Sequence, residues 1–539
     1  MASALKPART FNRMVANPVL EDYALRYAPR RFRRWSIYAV ATAALGGIAY
    51  LADYAIGGSI AISFGFTNAL WAILGAAAII FATGIPIAYY AARYSIDMDL
   101  LTRGAGFGYL GSTLTSLIYA SFTFIYFSLE GSIMAQALTL YTHLPLAVSY
   151  LIGALLIIPL VVYGMTFLNR FQTWTQPLWF VLLLGPIVAI LVRDPGSFAA
   201  WTRFKGQAPT AGFDPLLFGL ALGVVLSLIA QIGEQVDYLR FMPNKSGENA
   251  IRWWLAVMLA GPGWVLLGAA KQLIGSFLAS WIAPAAGMIK ADEPIEMATR
   301  GFGQIFGNPF IALTLAVGFV ILSQIKINVT NAYSGSLSWS NFFARVFHTH
   351  PGRVVWLFLN VGIALALMEF GVFGFLNMVL GFYSNVAVAW IGAVAADLVI
   401  VKPLLHIGPA HVEFKRAHLY NVNPVGFGAM LIASAVSIAA FFDLLGPWLH
   451  AFSPILSLAL AFALVPLFAV LTRGKYYLAR PASNGHLRDT TCVACGHEYE
   501  HEDMAHCTFH GAAICSLCCS LDRACKDSCK TGSLVSKEA

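Results

Sequence analysis

Long apolar runs alternate with short polar connections over most of this 539-residue chain. Runs long enough to cross a hydrocarbon core of about 30 Å fall near 36–60, 67–92, 108–138, 146–166, 171–193 and 214–241. Six more follow near 252–281, 309–336, 353–370, 374–400, 424–444 and 452–472. In lipid a backbone must satisfy its own hydrogen bonds, so runs of this length predict helices. The pattern predicts an all-α polytopic membrane protein of about 12 transmembrane helices, with both ends of the chain on one side.

Glycine marks expected interruptions. Gly46-Gly47 and Gly57-Gly58 fall in span 1, Gly219 and Gly223 in span 6, and Gly261-Pro262-Gly263 in span 7. Spans 1 and 6 are five apart, the separation of two broken helices around the central site of an inverted five-plus-five repeat. The plainer account is that membrane helices are rich in glycine anyway.

Basic residues give the orientation. The loops after spans 2, 4, 6, 8 and 10 carry Arg93, Arg103, Arg170, Arg240, Lys245, Arg252, Arg345, Arg353, Lys402, Lys415 and Arg416. The short loops after spans 1, 3, 9 and 11 carry no Lys or Arg; the longer loops after spans 5 and 7 hold Arg203, Lys205, Lys290 and Arg300. Long loops tolerate such charges, so the bias predicts a multi-pass plasma-membrane protein with both termini cytosolic. A net charge of +8 is then an orientation signal, and no nucleic-acid partner is expected. Only 11% of residues are charged, against roughly 25% in soluble domains. The first 34 residues are polar and basic, which predicts no cleavable signal peptide.

Ionisable groups at membrane depth are expensive and mark candidate sites. Glu130 lies in span 3 within IYFSLEGSIMAQAL, Asp53 in the outer half of span 1, and Lys326 in span 8 within SQIKINVTNAYSGS. Span 6 adds Gln231, Glu234, Gln235 and Asp237 in its inner half. The alternative is that these charges pair with one another and only hold helices together. Asp237, near the inner surface, reads as structural.

Several segments resemble the nucleobase:cation symporter family 1, the purine, cytosine, allantoin and hydantoin permeases. They are NPVLEDYALRYAPRRFRRWS, LLTRGAGFGYLGS, EQVDYLRFMPN, TNAYSGSLSWSN and WIGAVAADLVIV, and the resemblance runs over about residues 15–475. It implies the leucine-transporter fold, with ten core helices in an inverted repeat and two peripheral ones. It also implies a substrate site. The family's ring-stacking Trp and hydrogen-bonding Gln of span 3 correspond to Tyr126 and Glu130. Its small residue and Trp of span 6 correspond to Ser227 and Leu228, and its span 8 Asn to Asn331. A carboxylate accepts but does not donate, so a guanine-like, guanidino or amine-bearing solute is expected in place of a neutral pyrimidine. Where sodium-dependent relatives carry hydroxyl residues in span 8, this chain has Ile325 and Lys326. Lys326 is expected as a tethered cation near the broken middle of span 1, with Asp53 in reach, so classical sodium coupling is not expected.

All eight cysteines lie between 492 and 529. In a reducing compartment this pattern argues for metal rather than disulfides. Cys492, Cys495, Cys515 and Cys518 form two C-x2-C pairs that suit one four-thiolate site. Cys507, Cys525 and Cys529 suit a second, with Cys519 or His510 as fourth ligand. About two structural zinc ions are expected, with iron–sulfur clusters and redox-active thiols as the alternatives. The segment also resembles a cysteine-rich linker between transporter-like domains and sensor histidine kinases. No kinase sequence follows Cys529 here, so that resemblance implies a separate kinase partner.

Three regions follow: a cytosolic tail over 1–35, a transporter domain over 36–475 and a metal-binding tail over 476–539. No nucleophile–base pair or phosphate-binding loop stands out, so catalysis is not expected. Two functions remain in front, a secondary transporter of a nitrogenous solute and a transporter-shaped solute sensor. A membrane-anchored ubiquitin ligase is a third, since the cysteine order imitates a cross-braced finger.

Overall fold

Asp-Pro and Asn-Pro pairs start three of the long helices. Asp214 accepts from the amides of Leu216 and Leu217 at the head of Pro215–Leu239, and Asn308 and Asn423 cap Pro309–Phe347 and Pro424–Phe441 in the same way. In each, proline fills the first helical position, where its missing N–H is not needed. The computed structural model describes residues 22, 24–480 and 490–530. The greater part of the expected N-terminal tail, the segment 481–489 and the last nine residues lie outside the described residues.

Among the described residues nine helices are long and apolar enough to cross a membrane, with two shorter apolar helices, Ile37–Ala49 and Leu146–Val162. One of the nine, Ala52–Tyr94, does double duty. It turns at Gly65, whose φ of 78° belongs to the left-handed region, into stretches 52–64 and 66–94. The first completes span 1 after Ile37–Ala49; the second is span 2. The freed amide of Phe66 donates to the Phe204 carbonyl at 2.8 Å. Span 3 is Ser112–Thr142, span 4 Leu146–Val162, span 5 Gly164–Arg193 and span 6 Pro215–Leu239. Spans 7 to 12 are Ala250–Ala286, Pro309–Phe347, Arg353–Glu369, Val372–Val401, Pro424–Phe441 and Ser453–Thr472. Short helices Met98–Thr102, Gly196–Thr202 and Pro294–Gly303 lie in the connections between spans.

The interruptions fall beside the expected glycines rather than on all of them. Span 1 breaks at Tyr50–Leu51, after a 3₁₀ turn over Gly47–Ala49. Span 6 tightens to 3₁₀ over Ser227–Gln231, and span 7 breaks at Gly261. Gly57, Gly58, Gly219 and Gly223 remain helical, which corrects the reading of them as breaks. They serve close packing instead. A methyl group at Gly57 would sit 1.9 Å from the Gln272 carbonyl oxygen, and one at Gly219 would sit 2.9 Å from that of Ala451. Small residues allow such backbone contact in lipid.

The cysteine-rich segment is a small hairpin, Met504–Cys507 paired antiparallel with Ala512–Cys515, followed by a helix over Ser516–Leu521. Its apolar core of Ile514, Leu517 and Met504 is shared with Leu25, from the segment ahead of span 1, and Ala344 of span 8. Both ends of the described chain therefore meet on one face of the helical bundle.

Candidate functional site

The centre of the bundle is built where the interrupted stretches of spans 1 and 6 meet spans 3, 7 and 8. At the break of span 1 the second half begins at Ala52, and its first amide points toward span 3. Both carboxylate oxygens of Glu130 accept from Ala52 N at 3.2 Å, and the Gln324 amide lies beside the same carboxylate. A carboxylate at a helix N-terminus meets unpaired N–H groups and the positive end of the helix dipole. One turn earlier on span 3, Tyr126 donates to or accepts from Ser227 Oγ at 2.8 Å and packs against Phe122, with ring centroids 4.5 Å apart. Ser227 lies in the 3₁₀ stretch of span 6 and also donates to the Val224 carbonyl. Leu228 follows it, buried and apolar.

The structure thus brings Tyr126, Glu130 and Ser227 to the junction of the broken helices. Asn331 lies on span 8, donating to Asn328 Oδ1 at 3.1 Å, while its own carbonyl oxygen has no protein partner among the described residues. Asn328 approaches span 3 at Gly131.

The expected partnership of Lys326 and Asp53 is not formed. Lys326 donates instead to Gln172 O at 3.0 Å and Thr175 Oγ1 at 2.9 Å on span 5. Asp53 is held instead by span 7, where Lys271 Nζ lies 2.9 Å from Oδ2 and Gln272 Nε2 donates to Oδ1 at 2.8 Å. Lys271 also donates to the Tyr50 carbonyl at 2.8 Å, with its ammonium 3.7 Å from the centre of the Tyr50 ring. The sequence reading passed over Lys271, although a lysine inside GAAKQLIG is as conspicuous in an apolar run as Lys326 in its own.

Toward the face that carries both chain ends, buried charges are paired. Arg240 Nη1 donates to Asp97 at 3.0 Å, and Nη2 to the Tyr333 hydroxyl at 3.0 Å. Arg345 Nη2 lies 3.9 Å from Asp99. Asp237 accepts from the Tyr119 hydroxyl at 2.9 Å, which suits its structural reading. At the opposite face a pocket of about 500 Å³ is lined by Ser59 of span 1, Asp292, Glu293 and the start of span 10.

A second candidate centre is the cysteine cluster. The sulfurs of Cys492, Cys495, Cys515 and Cys518 all lie within 4.8 Å of one another and are buried. Backbone amides of Cys515 and Cys518 donate to the sulfurs of Cys492 and Cys515 at 3.3 and 3.4 Å, and the Tyr499 hydroxyl sits 3.3 Å from Cys495 Sγ. Burial, and then hydrogen bonds among the thiols, push Cys515 well above the ordinary thiol range. Soft sulfur donors this close, with amide support, fit a tetrahedral metal. These four residues could hold a metal ion. Cys519 lies within electrostatic reach of Cys507, Cys525 and Cys529, though these four do not close to the same spacing. His510 pairs with Asp522 at 2.9 Å.

The module is tied to the membrane domain by named contacts. Arg416, between spans 10 and 11, donates to the carbonyls of Cys519 and Asp522 at 2.7 and 2.6 Å and pairs with Asp527 at 2.9 Å. His348, at the end of span 8, hydrogen-bonds Ser520 O at 2.9 Å. Arg26 pairs with Asp503 at 2.8 Å and lies over the Tyr499 ring at 4.3 Å.

No protein-family model matches the chain, and no curated protein matches it. Solved structures do. Mhp1, a nucleobase-cation-symport-1 family transporter, in a closed conformation with bromovinylhydantoin bound, matches with a TM-score of 0.62 at 18% identity. That match covers 85% of this chain and 99% of the other. An inward-facing conformation of Mhp1 gives 0.60 at 19%, over 86% and 98% of the two chains. A Na⁺-coupled sialic acid symporter in a substrate-bound outward-open state gives 0.52 at 14%, over 82% and 91%. The membrane domain therefore has the leucine-transporter-type fold. At these identities the likeness is one of fold.

Proposed function

We propose that this protein is a secondary transporter of a small, donor-rich nitrogenous solute, nucleobase-like, guanidino or amine-bearing, across the plasma membrane. Both termini face the cytosol in this reading, in line with the basic residues of the even-numbered loops. One observation carries it. Glu130 is buried at the start of the second half of span 1, one turn from the Tyr126 ring, in a fold shared with solute symporters. A fixed carboxylate beside an aromatic face suits a flat solute rich in N–H groups. Tyr126, Glu130, Ser227, Leu228 and Asn331 line the site in this reading. A melting-temperature screen of the purified protein against nucleobases, amines and guanidino compounds identifies binders. Uptake of the best binder into proteoliposomes then tests transport. Binding without uptake in any orientation sinks the transporter reading.

The docked cysteine module favours a second reading, a solute sensor that signals through its tail to a separate histidine kinase. Its metal in either reading is zinc, at Cys492, Cys495, Cys515 and Cys518, with Cys507, Cys519, Cys525 and Cys529 as a second set. Elemental analysis of the full chain expects about two zinc ions, and Cys515→Ser loses at least one. A metal-free chain with an intact module overturns the zinc assignment.

A further inference from the structure

The interruption of span 1 releases a backbone oxygen. The amide of Tyr54, which an unbroken helix would direct at the Tyr50 carbonyl, donates instead to Leu51 O at 2.9 Å, and that of Ala55 follows it at 3.3 Å. The Tyr50 carbonyl is thereby free to face span 7. Asp53, one turn on, presents its carboxylate to the same spot. A released carbonyl and a carboxylate at a broken membrane helix are the oxygen donors that bind small hard cations. Here the space between them holds the Lys271 ammonium, 2.8 Å from one and 2.9 Å from the other.

The packing that puts it there is specific. Gly275 of span 7 lets the Tyr54 backbone approach so closely that a methyl group would meet Tyr54 O at 2.4 Å, and Gly57 does the same for Gln272. Two glycines, one on each helix, thus bring the side of span 7 that carries Lys271 against the break. Glu130, on the far side of the same break, lies within the field of the ammonium.

We infer that Lys271 is a built-in cation that takes the place of an alkali ion at the break of span 1, so the protein has no need of sodium there. The inference rests on the transporter reading for its meaning, but its test does not use the solute. The pair of carboxylates, Asp53 and Glu130, is partly neutralised by the protein's own side chain. A compound or proton that joins Glu130 completes the balance, and sodium is left without a vacancy between Tyr50 and Asp53.

The test is the melting temperature of the purified full chain in NaCl, KCl and choline chloride, each at about 0.15 M so that screening is matched. No solute is added. The wild type is expected to melt alike in all three. Lys271→Ala and Lys271→Ser uncover the Tyr50 carbonyl and the Asp53 carboxylate, and each is expected to melt about 2–4 °C higher in sodium than in choline. In a chain of this length that is the size for an ion roughly a hundred- to a thousandfold above its dissociation constant. The Ser variant adds an oxygen and serves where the Ala variant does not fold. A sodium-specific rise in the wild type overturns the inference, and so does a folded variant indifferent to sodium. Failure of solute uptake, with this sodium response present, removes the transporter reading and leaves the cation assignment standing.

Discussion

Lys271 and Lys326 are two buried ammonium groups on neighbouring spans, and their surroundings differ in kind. At the contact of spans 1 and 7, Lys271 meets a carboxylate, a released carbonyl and an aromatic ring. At the contact of spans 5 and 8, Lys326 meets a backbone carbonyl and a hydroxyl, with the Phe171 ring at 5.8 Å. Removing one member of a buried ion pair strands the other charge. Removing an ammonium from neutral acceptors forfeits its hydrogen bonds but also takes away the buried charge, and it strands no other. Two lysines that look alike in sequence thus carry different obligations.

The comparison can be broken most decisively at Lys271. Lys271→Met leaves Asp53 buried without its partner and is expected to destabilise the protein by about 3–5 kcal/mol, read as a fall in unfolding midpoint in detergent. Adding Asp53→Asn should recover more than half of that loss. A Met variant as stable as wild type would show that the pair carries no weight.

Next in size is Glu130. Glu130→Gln keeps the shape and removes the charge, and a charge-assisted hydrogen bond contributes about 1.5–3 kcal/mol. Affinity for the best binder from the screen is expected to fall roughly ten- to a hundredfold by calorimetry. Unchanged affinity in a folded Gln variant would leave Glu130 as a brace for the end of span 1.

The smallest effect sharpens the contrast. Lys326→Met fills a similar volume and is expected to shift stability by no more than about 1 kcal/mol, with solute affinity unaltered. A loss as large as that of Lys271→Met would mean that the neutral contacts of span 5 are as binding as an ion pair.

These differences mark where the sequence stops being legible. Length and apolarity suffice for the nine long membrane helices among the described residues, because lipid leaves an apolar run of that length little choice but a helix. The two C-x2-C pairs were equally readable, since a tight turn aims both thiols of Cys492 and Cys495 by local geometry alone. The partner of Asp53 was not. Whether Lys271 or Lys326 reaches it depends on which side of each helix faces span 1, and that is set by packing across residues more than two hundred apart. Glycine misled for the same reason. Gly46-Gly47 signals a real weakness in span 1, while Gly57 is small because Gln272 lies against it. His510 was a plausible ligand by residue type, yet Asp522 is its neighbour in the folded hairpin.

The glycine contacts between spans 1 and 7 have a mechanical meaning. With backbone pressed to backbone at Gly57 and Gly275, the second half of span 1 and its neighbour have no slack to slide past each other, and they form one beam. Any swing of the first half, Ile37–Gly46, must then be taken up at Tyr50–Leu51, between the beam and the arm. The arm's far end leads to Leu25 and Arg26, which are fastened to the cysteine module. A lever with its pivot in the bilayer and its handle in a cysteine-rich clasp can be stopped from either end.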